Sequence, residues 1–194
     1  MNIRHIIAIG AFAMLAASCS DGGNDTAVPR RKAYPRVEPY DTAYTLRQLP
    51  SVAFDANTHA AFTVKDSTEP GVSGADITYD RYGMTVYVTA IRSSRRDFDR
   101  RLDDRIERVS LNLGGARPTT TDIKSDGGFD ATIFVCPGIN TPVQALAADS
   151  VTSTIVSATL FSDAATAAAD SVAPMLDIIT RDITRMMQSL SPRP

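Results

Sequence analysis

Between residues 84 and 91 the chain alternates, with Met84, Val86, Val88 and Ala90 on one side and Thr85, Tyr87, Thr89 and Ile91 on the other. A period of two is what a strand shows when its sheet buries one face more than the other. Val52 to Phe54, Ala60 to Val64 and Asp76 to Tyr79 read as further strands, with turn chemistry at Glu69-Pro70-Gly71 and Asp80-Arg81-Tyr82-Gly83. These segments are expected to be antiparallel neighbours on short loops. From Arg95 the period lengthens: Phe98, Leu102, Ile106, Val109 and Leu113 recur at helical spacing until Gly114-Gly115 stop them. The positions between carry Arg, Asp and Glu at spacings that favour local ion pairs, so the outer face reads as solvated.

The alternation then returns. Thr119 to Lys124 and Phe129 to Val135 flank Ser125-Asp126-Gly127-Gly128 as a hairpin, and Val143 to Ala147 and Ser153 to Phe161 repeat the pattern across Ala148-Asp149-Ser150. A second amphipathic helix is predicted from Asp170-Ser171, read as cap candidates, with Pro174 in its first turn. Val172, Met175, Leu176, Ile179, Ile183, Met186 and Leu190 form its apolar side, and it ends before Pro192. Strands, helix, strands, helix is the order of an α+β domain, an antiparallel sheet with two amphipathic helices packed on it. By element order alone the arrangement is similar to PsbP or Mog1-like folds.

Ahead of this domain, assigned to residues 34–192, the pattern is of another kind. Arg4 precedes an apolar run from Ile6 to Ala17, and Leu15-Ala16-Ala17-Ser18-Cys19 follows the plan of a lipobox, in which small residues suit a signal peptidase and the thiol takes a diacylglyceryl group. Residues 1–18 are therefore read as a lipoprotein signal peptide. The run falls short of the roughly 20 apolar residues that a membrane-crossing helix needs. Cys19 is the predicted lipidation site and the first residue of the mature chain. Each buried methylene contributes about 0.8 kcal/mol, and the diacylglyceryl chains with an amide-linked acyl chain give a firm hold where a single chain would not. Residues 19–33 form a polar tether that ends in Pro29-Arg30-Arg31-Lys32, either a solvated linker end or a contact with lipid headgroups. Tyr34-Pro35-Arg36-Val37-Glu38-Pro39 reads as an extended arm. Asp21 and Asp25 soon after the cysteine resemble tracts that route lipoproteins to the outer face of the outer membrane.

Charge and composition narrow the classes further. Loss of the signal would remove Arg4 and no acid, leaving 19 basic against 22 acidic residues, with none of the basic excess that nucleic acid would call for. The chain is 43% hydrophobic, enough for a real core. It has two cysteines, so lipidation of Cys19 leaves Cys136 without a partner, and its strand-like setting marks it as a small buried hydrophobe. Of two histidines only His59 survives cleavage, at the start of a strand and without the partners a metal site requires. There is no nucleophile elbow, phosphate loop or dinucleotide fingerprint. Asp149-Ser150 and Asp170-Ser171 are explained by loop and cap roles. With no tryptophan, a glycan site would depend on Tyr34, Tyr40, Tyr44, Tyr79, Tyr82 and Tyr87. No catalytic, cofactor-binding or metal-ligating residue is assigned.

Three stretches resemble the gliding-motility lipoprotein GldD family. Pro29-Arg30-Arg31-Lys32-Ala33-Tyr34-Pro35-Arg36-Val37-Glu38 is similar to its proline and basic residues ahead of Gly-Tyr and Arg-Ile pairs. Ala148-Asp149-Ser150 with Val156-Ser157-Ala158-Thr159-Leu160-Phe161 resembles its Thr-Asp-Ser turn and following strand, and Asp170-Ser171-Val172-Ala173-Pro174 through Asp182-Ile183 to Leu190 its C-terminal helix. The chain departs from the family at Ser153 to Val156, where histidine and arginine are usual, which marks a divergent member. The resemblance implies a non-enzymatic accessory or assembly role beside gliding or type IX secretion machinery, at the outer membrane or in the periplasm. It also implies protein partners in an envelope complex, with the membrane engaged through Cys19 and no catalytic residue carried over. The competing expectations are a glycan-binding lipoprotein and a small envelope hydrolase built from serine and carboxylate groups.

Overall fold

The computed structural model describes residues 38–162 and 169–194. The signal, Cys19, the tether, Tyr34 and the first part of the arm lie outside the described residues. The fold is α+β. Its strands are β1 (Tyr44–Gln48), β2 (Val52–Asn57), β3 (Ala61–Lys65), β4 (Val72–Tyr79), β5 (Met84–Arg92), β6 (Thr119–Lys124), β7 (Asp130–Val135), β8 (Val143–Asp149), β9 (Thr154–Phe161) and β10 (Ser191–Pro192). Helix α1 (Phe98–Leu113) follows β5 and helix α2 (Ala169–Gln188) follows β9. Seven strands form one antiparallel sheet in the order β3-β4-β5-β9-β8-β7-β6, and β1-β2-β10 form a second.

The alternation read from residues 84 to 91 is the key to the layering. Met84, Val86, Val88 and Ala90 point into the main core, together with Ala75, Ile77 and Tyr79 of β4 and Val156, Ala158 and Leu160 of β9. Helix α2 closes that core with Leu176, Ile179, Ile183, Met186 and Met187, and β2 adds Val52, Phe54 and Ala56. On the opposite face of the large sheet, Ile91, Leu146 and Ile155 meet Phe98 and Leu102 of α1 in a smaller cluster. Strands β8 and β9 are therefore covered on both faces, which accounts for their nearly continuous apolar runs.

Several expectations need correction. Strand β1 was not foreseen, because it is half-exposed and leaves Leu46 in solvent, so it carries no one-sided apolar pattern. Strand β10 is two residues long and includes a proline, which sequence reading treats as a stop. Strand β4 starts at Val72 rather than Asp76, since Ser73 and Gly74 pair fully with Ala90 and Thr89 despite weak strand character. The β8–β9 turn falls at Ser150 to Ser153, where Ser153 takes φ of 53°, rather than at Ala148 to Ser150. In α1 the stripe runs through Phe98, Leu102, Arg105 and Val109, leaving Ile106 51% exposed on its flank. Burial depresses the Arg105 guanidinium pKa, as expected for a stem lying along an apolar stripe. Helix α2 is already formed at Ala169, so Pro174 lies beyond its first turn, and the side chains of the cap candidates Asp170 and Ser171 lie outside the described residues.

Candidate functional site

The densest polar cluster is centred on Asp182, which α2 carries into the core. On a helix, position 182 follows Ile179 by three residues and precedes Met186 by four, so its carboxylate is placed on the apolar stripe. It is 4% exposed. Tyr44 of β1 donates its hydroxyl to Oδ1 at 2.9 Å, and Arg181 reaches the same oxygen through Nε at 3.3 Å and Nη2 at 3.2 Å. Asn57 of β2 donates Nδ2 to Oδ2 at 3.0 Å, and Tyr79 of β4 donates its hydroxyl there at 3.2 Å. Helix, small sheet and large sheet thus share one acceptor. A buried carboxylate is tolerable only with such partners.

The electrostatics follow from that geometry. Burial first, then the neighbouring Asp182 charge, raises the Tyr79 hydroxyl pKa well above the ordinary tyrosine value. Tyr44 is raised as well, by desolvation first and then by its hydrogen bond to Asp182 and the charge there. At Arg181 desolvation is the largest single influence and acts downward, but the charge and hydrogen bond of Asp182 together with those of Tyr44 outweigh it, and the net shift is upward. Both tyrosines remain protonated donors at neutral pH, so the cluster has no proton acceptor poised for general base chemistry among its hydroxyls. The space beside it, edged by Ala56, Ile77, Val86 and Met186, holds about 10 Å³, which is roughly one water.

Around this centre the tyrosines anchor the chain before β1. Tyr40 packs edge-on against Tyr79 and Tyr82 at 5.5 and 5.1 Å, and the Arg81 guanidinium lies 5.1 Å over the Tyr40 ring. Tyr82 donates its hydroxyl to the Glu38 carbonyl at 2.9 Å. Tyr40 and Tyr79 are 5% and 2% exposed, so their faces are spent on each other and on the core rather than offered to a sugar ring. Tyr87 stands apart on β5, half-exposed.

The other sequence candidates are scattered. His59 lies 3.7 Å from Asp41 in a solvent-exposed pair, and its backbone N–H donates to Asn57 Oδ1 at 3.0 Å. Cys136 is buried just past the end of β7 with a free thiol, in keeping with a small hydrophobe. Asp149 is a loop organiser: its carboxylate accepts the Val151 N–H at 2.9 Å, the Thr152 N–H at 3.3 Å and the Thr152 hydroxyl. Burial acts to raise its pKa, but those hydrogen bonds prevail and hold it below the usual carboxylate value. Among the described residues no group of three His, Cys, Asp or Glu side chains is arranged to hold a metal. The sequence pattern marks Tyr44 and Tyr79 only as sugar-stacking candidates and assigns Asp182 and Asn57 no role, although an aspartate within an apolar helical stripe is itself the signal of a buried, partnered carboxylate.

A comparison with protein families matches residues 24–191 to the model described as gliding motility lipoprotein GldD. Among curated proteins no match is found.

Proposed function

The chain belongs to the gliding motility lipoprotein GldD family, and from that membership we propose a non-enzymatic accessory protein of gliding or type IX secretion machinery, held at the outer membrane by lipid on Cys19. The family match carries this reading. The lipobox pattern at Leu15 to Cys19 and the polar residues after it support the anchor. Absence of enzymatic function is supported by how the conspicuous polar groups are used. Asp182 fixes helix to sheets, Asp149 organises a turn, and His59 pairs with Asp41 in solvent. Each serves structure with the partners it already has.

The anchor is tested by growing cells with an alkyne-bearing fatty acid and comparing the wild-type chain with Cys19→Ala. The wild type is expected to carry the label and partition into detergent phase, while the variant carries none and leaves the membrane fraction. Equal membrane retention of both chains, with neither labelled, would overturn the lipid anchor.

A further inference from the structure

A second place in the molecule gathers polar groups whose hydrogen bonds are not met. At the end of the core where the two sheets part, the β1–β2 turn presents Ser51, β4 presents Ser73 and the last residue of β5 presents Arg92. Ser73 and Arg92 fall on the core-facing side of the large sheet, in line with Ala75 and Ala90. Together they line a cleft of about 410 Å³, a size that suits a small ligand. Ser51 is 5% and Ser73 7% exposed. Their hydroxyls, with Arg92 Nε, are buried atoms that find no hydrogen-bond partner among the described residues. Leaving such a group unpaired carries the uncompensated cost of its desolvation, and three at one cleft mark a place built to receive something.

The surrounding chain holds this arrangement in place. Arg92 donates Nη2 to the Arg193 carbonyl, which fixes the guanidinium while leaving Nε free. Arg193 N–H in turn donates to the Ser51 carbonyl at 2.9 Å. Gly71 sits at φ of 77°, and a Cβ there would lie 2.3 Å from the Arg92 carbonyl oxygen, so only glycine lets the β3–β4 loop close against β5. Glu69 on the same wall is paired with Arg101 of α1 at 2.5 Å. Arg92 forms no ion pair among the described residues. The cleft therefore offers one uncompensated positive charge and the apolar surfaces of Pro50, Pro70 and Val72, with the two unpaired serine hydroxyls buried in its wall.

We propose that this cleft binds a monocarboxylate with a short apolar body, either a free organic acid or the C-terminal carboxylate of a peptide. A carboxylate is an acceptor-only group with two oxygens and a single charge, which matches two hydroxyls and one guanidinium. A dianionic phosphate matches less well, because the Glu69 carboxylate shares the wall. The inference goes beyond the accessory role proposed above and holds whether or not Cys19 is lipidated.

The test uses the full chain in detergent with two probes: propionate, and an N-terminally fluorescein-labelled Ala-Ala-Val peptide with its C-terminus free or amidated. Saturable binding of the free-acid peptide or of propionate is expected, with the amidated peptide at least about tenfold weaker than its free form if the peptide binds. A free peptide more than about tenfold tighter than propionate assigns the ligand to a chain terminus, and the reverse or parity assigns it to a free acid. Ser51→Ala and Ser73→Ala should each weaken binding by about tenfold while leaving the melting temperature equal or higher, since each removes an unpaired buried hydroxyl. Arg92→Lys, which keeps the charge but loses Nε, should also bind more weakly. Binding of neither probe at millimolar concentration, equal binding of the amidated peptide, or unchanged affinity in both serine variants would overturn the proposal.

Discussion

Asp182 is the residue on which three elements agree, and its removal should be felt in all of them. Asp182→Ala would leave the hydroxyls of Tyr44 and Tyr79 and the amide of Asn57 without their acceptor, a loss expected at about 3–5 kcal/mol in chemical denaturation. Asp182 is also the cause, after burial, of the raised Tyr79 pKa. A group whose folded-state pKa lies above its unfolded value contributes stability that is complete below the unfolded pKa and is lost as pH rises through the folded one. For Tyr79 the loss begins near pH 10, the ordinary tyrosine value. Stability of the wild type should therefore fall as pH rises above this point, and the fall should be shallower in Tyr79→Phe, although that variant is weaker at neutral pH. Denaturation midpoints followed against pH, with tyrosinate absorbance as a second readout, would check this. A wild type and variant with parallel profiles would contradict it.

Among the elements, the C-terminal end of α2 is tied to the β6–β7 hairpin by backbone hydrogen bonds, and glycine makes the joint possible. Asp126 N–H donates to the Gln188 carbonyl at 2.8 Å and Gly127 N–H to the Leu190 carbonyl at 3.0 Å. A Cβ on Gly127 would lie 2.4 Å from that same carbonyl oxygen and 2.5 Å from Ser191 Cα. Gly127→Ala should cost about 1–3 kcal/mol through forced backbone displacement, measurable as a lowered melting temperature. Helix α1 gives a contrast within one element: Val109→Ala should destabilise by about 1–2 kcal/mol, while Ile106→Ala, on the exposed flank, should stay within about 0.5 kcal/mol. The helices and the central strands were legible in the sequence because one-sided burial imposes a period on residue choice. Strand β1 and the two-residue β10 were not, because they rest on backbone pairing to β2 and leave little mark on side-chain pattern. The carboxylate cleft was illegible for a related reason. Ser51, Ser73 and Arg92 are far apart in the chain, and only the parting of two sheets brings them to one place.

At the scale of the whole molecule, one face of the large sheet is packed beneath α2 and the small sheet, and α1 covers part of the other around Ile91, Leu146 and Ile155. The Asp182 centre holds these layers together, which fits the proposal of a protein whose work is to be in the right place and to be held by others. Family membership supports association with the cell envelope, and the accessory role proposed above would place the protein beside gliding or secretion machinery there. The most direct measurement is crosslinking in intact cells followed by purification from native membranes, with Cys19→Ala alongside. The wild-type chain is expected to recover other envelope machinery proteins, and the variant to lose most of them along with its membrane association. Recovery of the wild-type chain alone, uncrosslinked to any envelope component, would contradict the account.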